Sequence, residues 1–136
     1  MNIRELNKSD IDGLVDVYKE HWPITEISSS TFDKVIENDN IVFVAEEDNQ
    51  IIGSLILHLQ HKFIRDGSTA SFIEDVIVRK KYRGRGIGEL LVSSAIDKSR
   101  ELGCYKVVLQ CSDDNIKFYE KCGLKKFNYN IMGLGL

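Results

Sequence analysis

Cysteine is scarce in this sequence, three residues in 136, and the three are poorly placed for cross-linking. Cys104, Cys111 and Cys122 are odd in number and form no Cys-x-x-Cys pair, which argues against a disulfide framework and against a paired-thiolate metal site. Their apolar settings suit buried structural thiols, kept reduced in the cytoplasm. Positive charge is short as well. The formal net charge is −3, so no overall basic field recruits nucleic acid, and basic residues matter only locally. No apolar run approaches the ~20 residues of a membrane helix, and Met1-Asn2-Ile3-Arg4-Glu5 has no signal-peptide core. His58 and His61 stand three apart in a strand or its exit, share no face and suggest no third ligand, so no metal is expected. Repeats, low-complexity tracts and linkers are also missing. A length of 136 residues suits one domain spanning 1–136.

What is present alternates between strand and helix patterns. Ile3-Arg4-Glu5-Leu6 reads as a short strand. Ser9, with Asp12 three residues on, reads as a helix cap. Ile11, Leu14, Val15 and Tyr18 then repeat at helical spacing, until Trp22-Pro23 ends the helix. A second helix is expected from about Ser30 towards Asn38, burying Phe32, Val35 and Ile36. Ile41–Ala45 and Ile51–Leu57 form a hairpin through the polar connector Glu46–Gln50. After a loop at Asp66-Gly67-Ser68, Phe72–Val78 reads as a strand. Ile87, Leu91, Val92, Ala95 and Ile96 make a helical stripe ended by Gly103. Tyr105–Leu109 reads as a buried strand, Asp113–Lys121 as a short helix stopped by Gly123, and Phe127, Tyr129 and Ile131 as a final strand. The order β-α-α-β-β-β-α-β-α-β predicts an α/β (α+β) fold, a mixed sheet with helices on its faces.

The most informative stretch joins strand Phe72–Val78 to a helix through Arg79-Lys80-Lys81-Tyr82-Arg83-Gly84-Arg85-Gly86-Ile87-Gly88. Such a loop leaves backbone N–H groups free at the positive end of a helix dipole, an anion site suited to phosphate or pyrophosphate. It is not a Walker loop, because no Lys-Ser or Lys-Thr follows and Glu89 stands there instead. It is not a dinucleotide loop either, because Gly84, Gly86 and Gly88 have the wrong spacing and the strand comes mid-chain. Arg-x-x-Gly-x-Gly, met by Arg83, Gly86 and Gly88, is the pattern left.

That pattern, with the preceding hairpin and Asn115…Tyr119 beyond it, resembles the acetyl-CoA loop of the GNAT N-acetyltransferase superfamily over nearly the whole chain. Phe72–Val78 with Glu74-Asp75, Leu102–Leu109 with Gly103-Cys104-Tyr105-Lys106, and Asn115–Gly123 with Phe118-Tyr119-Glu120-Lys121-Cys122-Gly123 are similar to glucosamine 6-phosphate N-acetyltransferases. The resemblance implies acetyl transfer from acetyl-CoA, as co-substrate, to the amine of an amino-sugar phosphate, feeding UDP-N-acetylglucosamine synthesis. It also implies a homodimer whose last strand is exchanged or paired across the interface.

The residue roles come with the resemblance. Backbone amides from Arg83 to Gly88 hold the CoA pyrophosphate, with Arg83 and Arg85 adding charge and Tyr82 beside them. The pantetheine arm runs along Asp75, Val76, Ile77 and Val78 like an added strand, with Gln110 and Asn115 completing the cofactor side. An N–H near Val76 polarises the thioester, Tyr119 gives the departing thiolate its proton, and Glu74 contacts the amine or sugar hydroxyls. Lys62, Phe63, Ile64, Arg65, Gly103 and Cys104 belong to the acceptor site. Two positions depart from the pattern: Gln110 replaces an aspartate, and Ile131–Leu136 lacks a basic residue for the sugar phosphate. Another small amine, a protein amine, or a non-catalytic CoA-binding module stay open beside the amino sugar.

Overall fold

The computed structural model describes residues 1–136. Strands β1 (Asn2–Glu5), β2 (Asn40–Glu47), β3 (Gln50–His61), β4 (Thr69–Val78) and β5 (Lys106–Leu109) form one sheet in that spatial order. The first four pair antiparallel, and β5 runs parallel to β4. Helices α1 (Ile11–Tyr18), α2 (Ser29–Glu37), α3 (Ile87–Glu101) and α4 (Ile116–Lys121) flank it. The expected mixed α/β fold is what forms.

Each sheet face has its own core. Phe43, Leu55, Leu57 and Ile73 pack on Leu91, Val92 and Ala95 of α3, while Val44, Ile51 and Ile77 pack on Val17 of α1. Each such aliphatic side chain contributes roughly 1.5–3 kcal/mol by leaving water. The β2–β3 hairpin turns on two residues, Asp48 and Asn49, both left-handed at φ 51° and 62°. Asp and Asn tolerate that conformation, and two such residues match the strand twist.

Several expectations are corrected. The start of α1 is not capped by Ser9. A single 3₁₀ turn, Lys8–Asp10, comes first, and the Asp10 carboxylate accepts from the Asn7 N–H at 2.7 Å. That carboxylate also takes both guanidinium nitrogens of Arg4, at 2.7 and 2.9 Å, a tertiary partner that sequence spacing cannot show. Helix α2 starts at a Ser28 cap, whose hydroxyl accepts from Thr31 N–H at 3.1 Å, and none of its residues is fully buried. Strand β5 is only half-buried because it is the sheet edge, and Cys111 is exposed, not buried. The last strand is absent: residues 124–136 belong to no helix or strand, and Phe127, Tyr129 and Ile131 are exposed. Alternation prepares a segment to be a strand, but a ladder partner must also be present.

Candidate active site

The site is built where β4 and β5 part. Their parallel register ends at Ile73↔Leu109, while β4 continues to Val78, so beyond that point β4 has an unpaired edge. On its other side, β4 carries a bulge. Ile56 faces Glu74 but Ser54 faces Ile77, leaving Asp75 and Val76 opposite the single residue Leu55. Asp75 takes the extra residue's strain, with φ at 54°. A bulge bends and twists its strand, and this one turns the end of β4 away from β5. Glu74 and Asp75 therefore do not simply alternate across a regular strand; both are exposed.

The glycine loop follows directly. Gly84 and Gly86 have φ of +79°, which glycine adopts without steric cost. Gly86 caps α3 with no side-chain bond, and the first closing bond is Leu90 N–H to Gly86 O at 3.1 Å. The N–H groups of the first helical turn thus face outward without intrahelical partners. Gly88 has a different task, since a Cβ there would stand 3.0 Å from the Phe118 ring. Its hydrogen lets α3 and α4 close together, and Lys121 of α4 reaches Glu89 of α3 at 2.9 Å.

A cavity of about 700 Å³ occupies this notch. It gathers Val76–Val78, Tyr82–Gly84, Gly86–Gly88 and Asn115 of the expected cofactor set, together with Tyr119. Burial, with the neighbouring Cys111 and Cys122 thiols, pushes the Tyr119 phenol up to about 12, so it keeps its proton at neutral pH. The remaining cofactor candidates lie elsewhere. Arg85 holds Glu47 at 2.7 Å and covers the Tyr82 ring at 5.4 Å. Gln110 lines a separate cavity of about 370 Å³ beside the C-terminal segment. Asp75 sits on the bulge, exposed overall, where partial desolvation of its carboxyl and then the Glu74 charge hold it above the usual carboxylate range.

The expected acceptor residues gather at the other end of β4. Arg65 is left-handed at φ 53°, and its guanidinium covers the Tyr105 ring at 4.6 Å. Phe63 and Ile64 are exposed, and Lys62 closes the turn by its N–H to Ser68 O at 3.1 Å. Gly103 and Cys104 enter β5 beside them, with Tyr105 N–H on Thr69 O at 3.0 Å. None of these lines the 700 Å³ cavity. Ten residues of β4, about 30 Å of extended chain, separate this cluster from the glycine loop. Glu74 stands between, on the sheet face of α1 and α2.

Some residues of the site carry no sequence signal. His21, just beyond α1, lines the cavity and touches the Arg83 guanidinium. It is anchored there by its neighbour Glu20, which accepts from Arg79 Nε at 3.1 Å and Lys80 N–H at 2.9 Å. His58 lies 2.6 Å from Glu74. Both contacts join distant segments, the first brought together by the packing of the α1 end on the glycine loop and the second by the β3–β4 register.

Comparison with known proteins agrees with this geometry. The sequence model of the acetyltransferase (GNAT) family matches residues 7–124. A glucosamine 6-phosphate N-acetyltransferase of Arabidopsis thaliana is 33% identical over 131 residues, covering 90% of this chain and 88% of the relative. The same-named enzyme of Trypanosoma brucei brucei is also 33% identical, covering 92% and 89%. Among solved structures, an acetyltransferase of Trypanosoma brucei superposes with a TM-score of 0.92 at 31% identity, covering 99% of both chains. The Arabidopsis glucosamine-6-phosphate N-acetyltransferase superposes with a TM-score of 0.86 at 30% identity, covering 98% of this chain and 97% of that one. A notch between parting strands, a glycine loop at its mouth and these relatives lead to one conclusion: the chain belongs to the acetyltransferase (GNAT) family.

Proposed function

We propose that this enzyme moves the acetyl group of acetyl-CoA directly onto the amine of glucosamine 6-phosphate. The observation that carries the chemistry is the meeting, in one cavity, of the glycine loop, the unpaired edge of β4 beyond its bulge and the Tyr119 phenol. The pyrophosphate rests on the N–H groups of the loop and the first turn of α3, and the pantetheine arm takes the edge that β5 leaves vacant. A β4 N–H near Val76 polarises the thioester carbonyl. The amine attacks its carbon, the C–S bond breaks, the thiolate receives the Tyr119 proton, and the proton shed by the new amide nitrogen restores the phenol. Glu74 faces the acceptor. The acceptor's identity is supported by the names of the relatives. The test is thiol release from acetyl-CoA with glucosamine 6-phosphate, unphosphorylated glucosamine and simple amines. Turnover confined to the first supports the proposal; turnover only with other amines sinks it. CoA binding without any turnover would favour a binding module.

A second reading keeps the reaction and changes the acceptor. It is favoured by Gln110, a neutral side chain where the resembled enzymes carry an aspartate, and by a C-terminus, Ile131–Leu136, without a basic residue.

We further propose that residues 1–136 act as a single catalytic domain, in the cytoplasm, as a homodimer. Support for the dimer comes from the unpaired outer edge of β5, the exposed Phe127, Tyr129 and Ile131, and the placement of Lys62–Arg65 far from the cavity of their own chain. Each is what a partner's last segment would cover or complete. Mass in solution by light scattering tests it, and a monomer at all working concentrations would remove it.

A further inference from the structure

Asn40, His58 and Phe72 form one rung across β2, β3 and β4, and Glu74 follows Phe72 on the same face, just before the bulge. Asn40 Nδ2 donates to the Val35 carbonyl of α2 at 2.9 Å. That orients the amide so that Oδ1, an acceptor only, faces His58 Nδ1 at 2.7 Å. Nδ1 must therefore carry a hydrogen. The other ring nitrogen, Nε2, lies 2.6 Å from Glu74 Oε2. A neutral imidazole in this tautomer would aim a lone pair at a carboxylate oxygen. The arrangement is satisfied only when one further proton sits between Nε2 and Oε2.

We infer that His58 is a positioning residue for Glu74 and that the two side chains together take up the proton lost by the acceptor's ammonium group. This rests on the reading that Glu74 faces the acceptor. The reactive state is the empty pair, with neutral His58 and ionised Glu74. The ammonium donates to the free oxygen, Glu74 Oε1. Its proton passes to the carboxylate and is held between Oε2 and Nε2, so R–NH₃⁺ becomes R–NH₂ with its lone pair free for the thioester carbon. Water later takes the proton from the pair. Asn40 sets the working pH by denying His58 the other tautomer.

Several ionisable groups lie on the elements around the pair. On β4, Asp75 is coupled to both members. On the β2 side Asp39 is paired with His61 at 3.1 Å. On α2, Asp33 is paired with Lys8 at 3.3 Å, and Lys34 and Glu37 are exposed. Gln110, beyond the register end of β5, is neutral.

The test compares His58→Gln, Asn40→Ala and Glu74→Gln by the pH profile of kcat/KM for the best acceptor, with the acceptor's own amine titrated separately. Glu74→Gln is expected to lower kcat about 100-fold with the KM for acetyl-CoA unchanged. His58→Gln, which can still donate to Glu74 but cannot take a proton, is expected to lower kcat/KM about tenfold and erase the acidic limb of the wild-type profile. Asn40→Ala frees the Nε2–H tautomer, which satisfies Glu74 without an extra proton, so the limb shifts to lower pH. Proton–nitrogen correlation spectra of the imidazole ring provide a readout apart from activity: Nε2 protonated with Nδ1 in the wild type below the limb. A His58→Gln enzyme with an unchanged profile overturns the inference about His58 while Glu74→Gln stays impaired. Full activity of Glu74→Gln overturns the underlying reading instead. If His58→Gln does not fold, the profile of Asn40→Ala and the ring spectra decide alone, and an unmoved limb counts against the inference.

Discussion

Ile73 and Ile77 lie four residues apart in β4 yet point into opposite cores. Ile73 packs with Leu91 and Val92 beneath α3, and Ile77 packs with Val17 under α1. In a regular strand an even separation keeps side chains on one face. The extra residue at Asp75 and Val76 reverses the parity, so the strand serves both faces while its backbone swings from β5. The notch at the glycine loop is a consequence of that reversal.

The bulge should be sensitive to what stands at 75. Asp75 holds φ at 54°, strained for a side chain with Cβ and least so for Asp, Asn or Gly. Asp75→Gly is expected to leave stability unchanged or slightly higher, while Asp75→Val should lose about 1–2 kcal/mol. Urea unfolding monitored by circular dichroism reads both, and equal stability would remove the strain argument.

Gly53 allows β3 to approach β4 and α3. A Cβ there would stand 2.9 Å from Ile77 O and 3.2 Å from Leu91 Cδ1. The first neighbour is backbone and cannot swing aside. Gly53→Ala is expected to destabilise by roughly 1–3 kcal/mol, measured by the same unfolding curves.

At the loop, Gly86 has φ of +79° but no atom within 4 Å of a would-be Cβ. Space is free and only the backbone angle is demanding. Gly86→Val should therefore fold, with a reoriented N-cap and weaker CoA binding by about tenfold or more, seen by calorimetric titration. Unchanged affinity would move the pyrophosphate away from this loop.

Tyr119→Phe removes one hydroxyl from the cavity wall. An expected fall in kcat of about 100-fold, with CoA affinity within about twofold, separates proton donation from packing. Because the phenol is pushed up to about 12, it stays protonated below that value, and its ionisation should contribute no loss of rate up to about pH 10.

The Arg4 guanidinium holds the Asp10 carboxyl below its ordinary range, with the Asn7 N–H helping. A depressed folded-state value means stability that is present above the unfolded value of about 3.9 and is lost as pH falls through the folded one. Asp10→Asn should thus be about 1–2 kcal/mol less stable than the wild type at pH 7, and the gap should close as pH drops below about 4. Denaturation midpoints across pH 2.5–7 check the sign.

Local chemistry determined a large part of this protein. Helical spacing at Ile87, Leu91, Val92 and Ala95, the hairpin at Asp48-Asn49 and the glycines at 84 and 86 act within one element, where a residue's own backbone preference decides the outcome. The loop was therefore legible in the chain as an anion site, and its resemblance to known acetyltransferases pointed to acetyl-CoA. Tertiary structure decided the rest, because it rests on contacts between segments far apart in sequence. The bulge at Asp75 exists only against Leu55 of β3, Gly88 shows its purpose only against Phe118, and His21 meets Arg83 across the molecule. His58 finds Glu74 only through the strand register, sixteen residues along the chain. The same physics explains the missing last strand: Phe127, Tyr129 and Ile131 alternate as a strand should, but backbone hydrogen bonds need a second partner, and alternation cannot supply one.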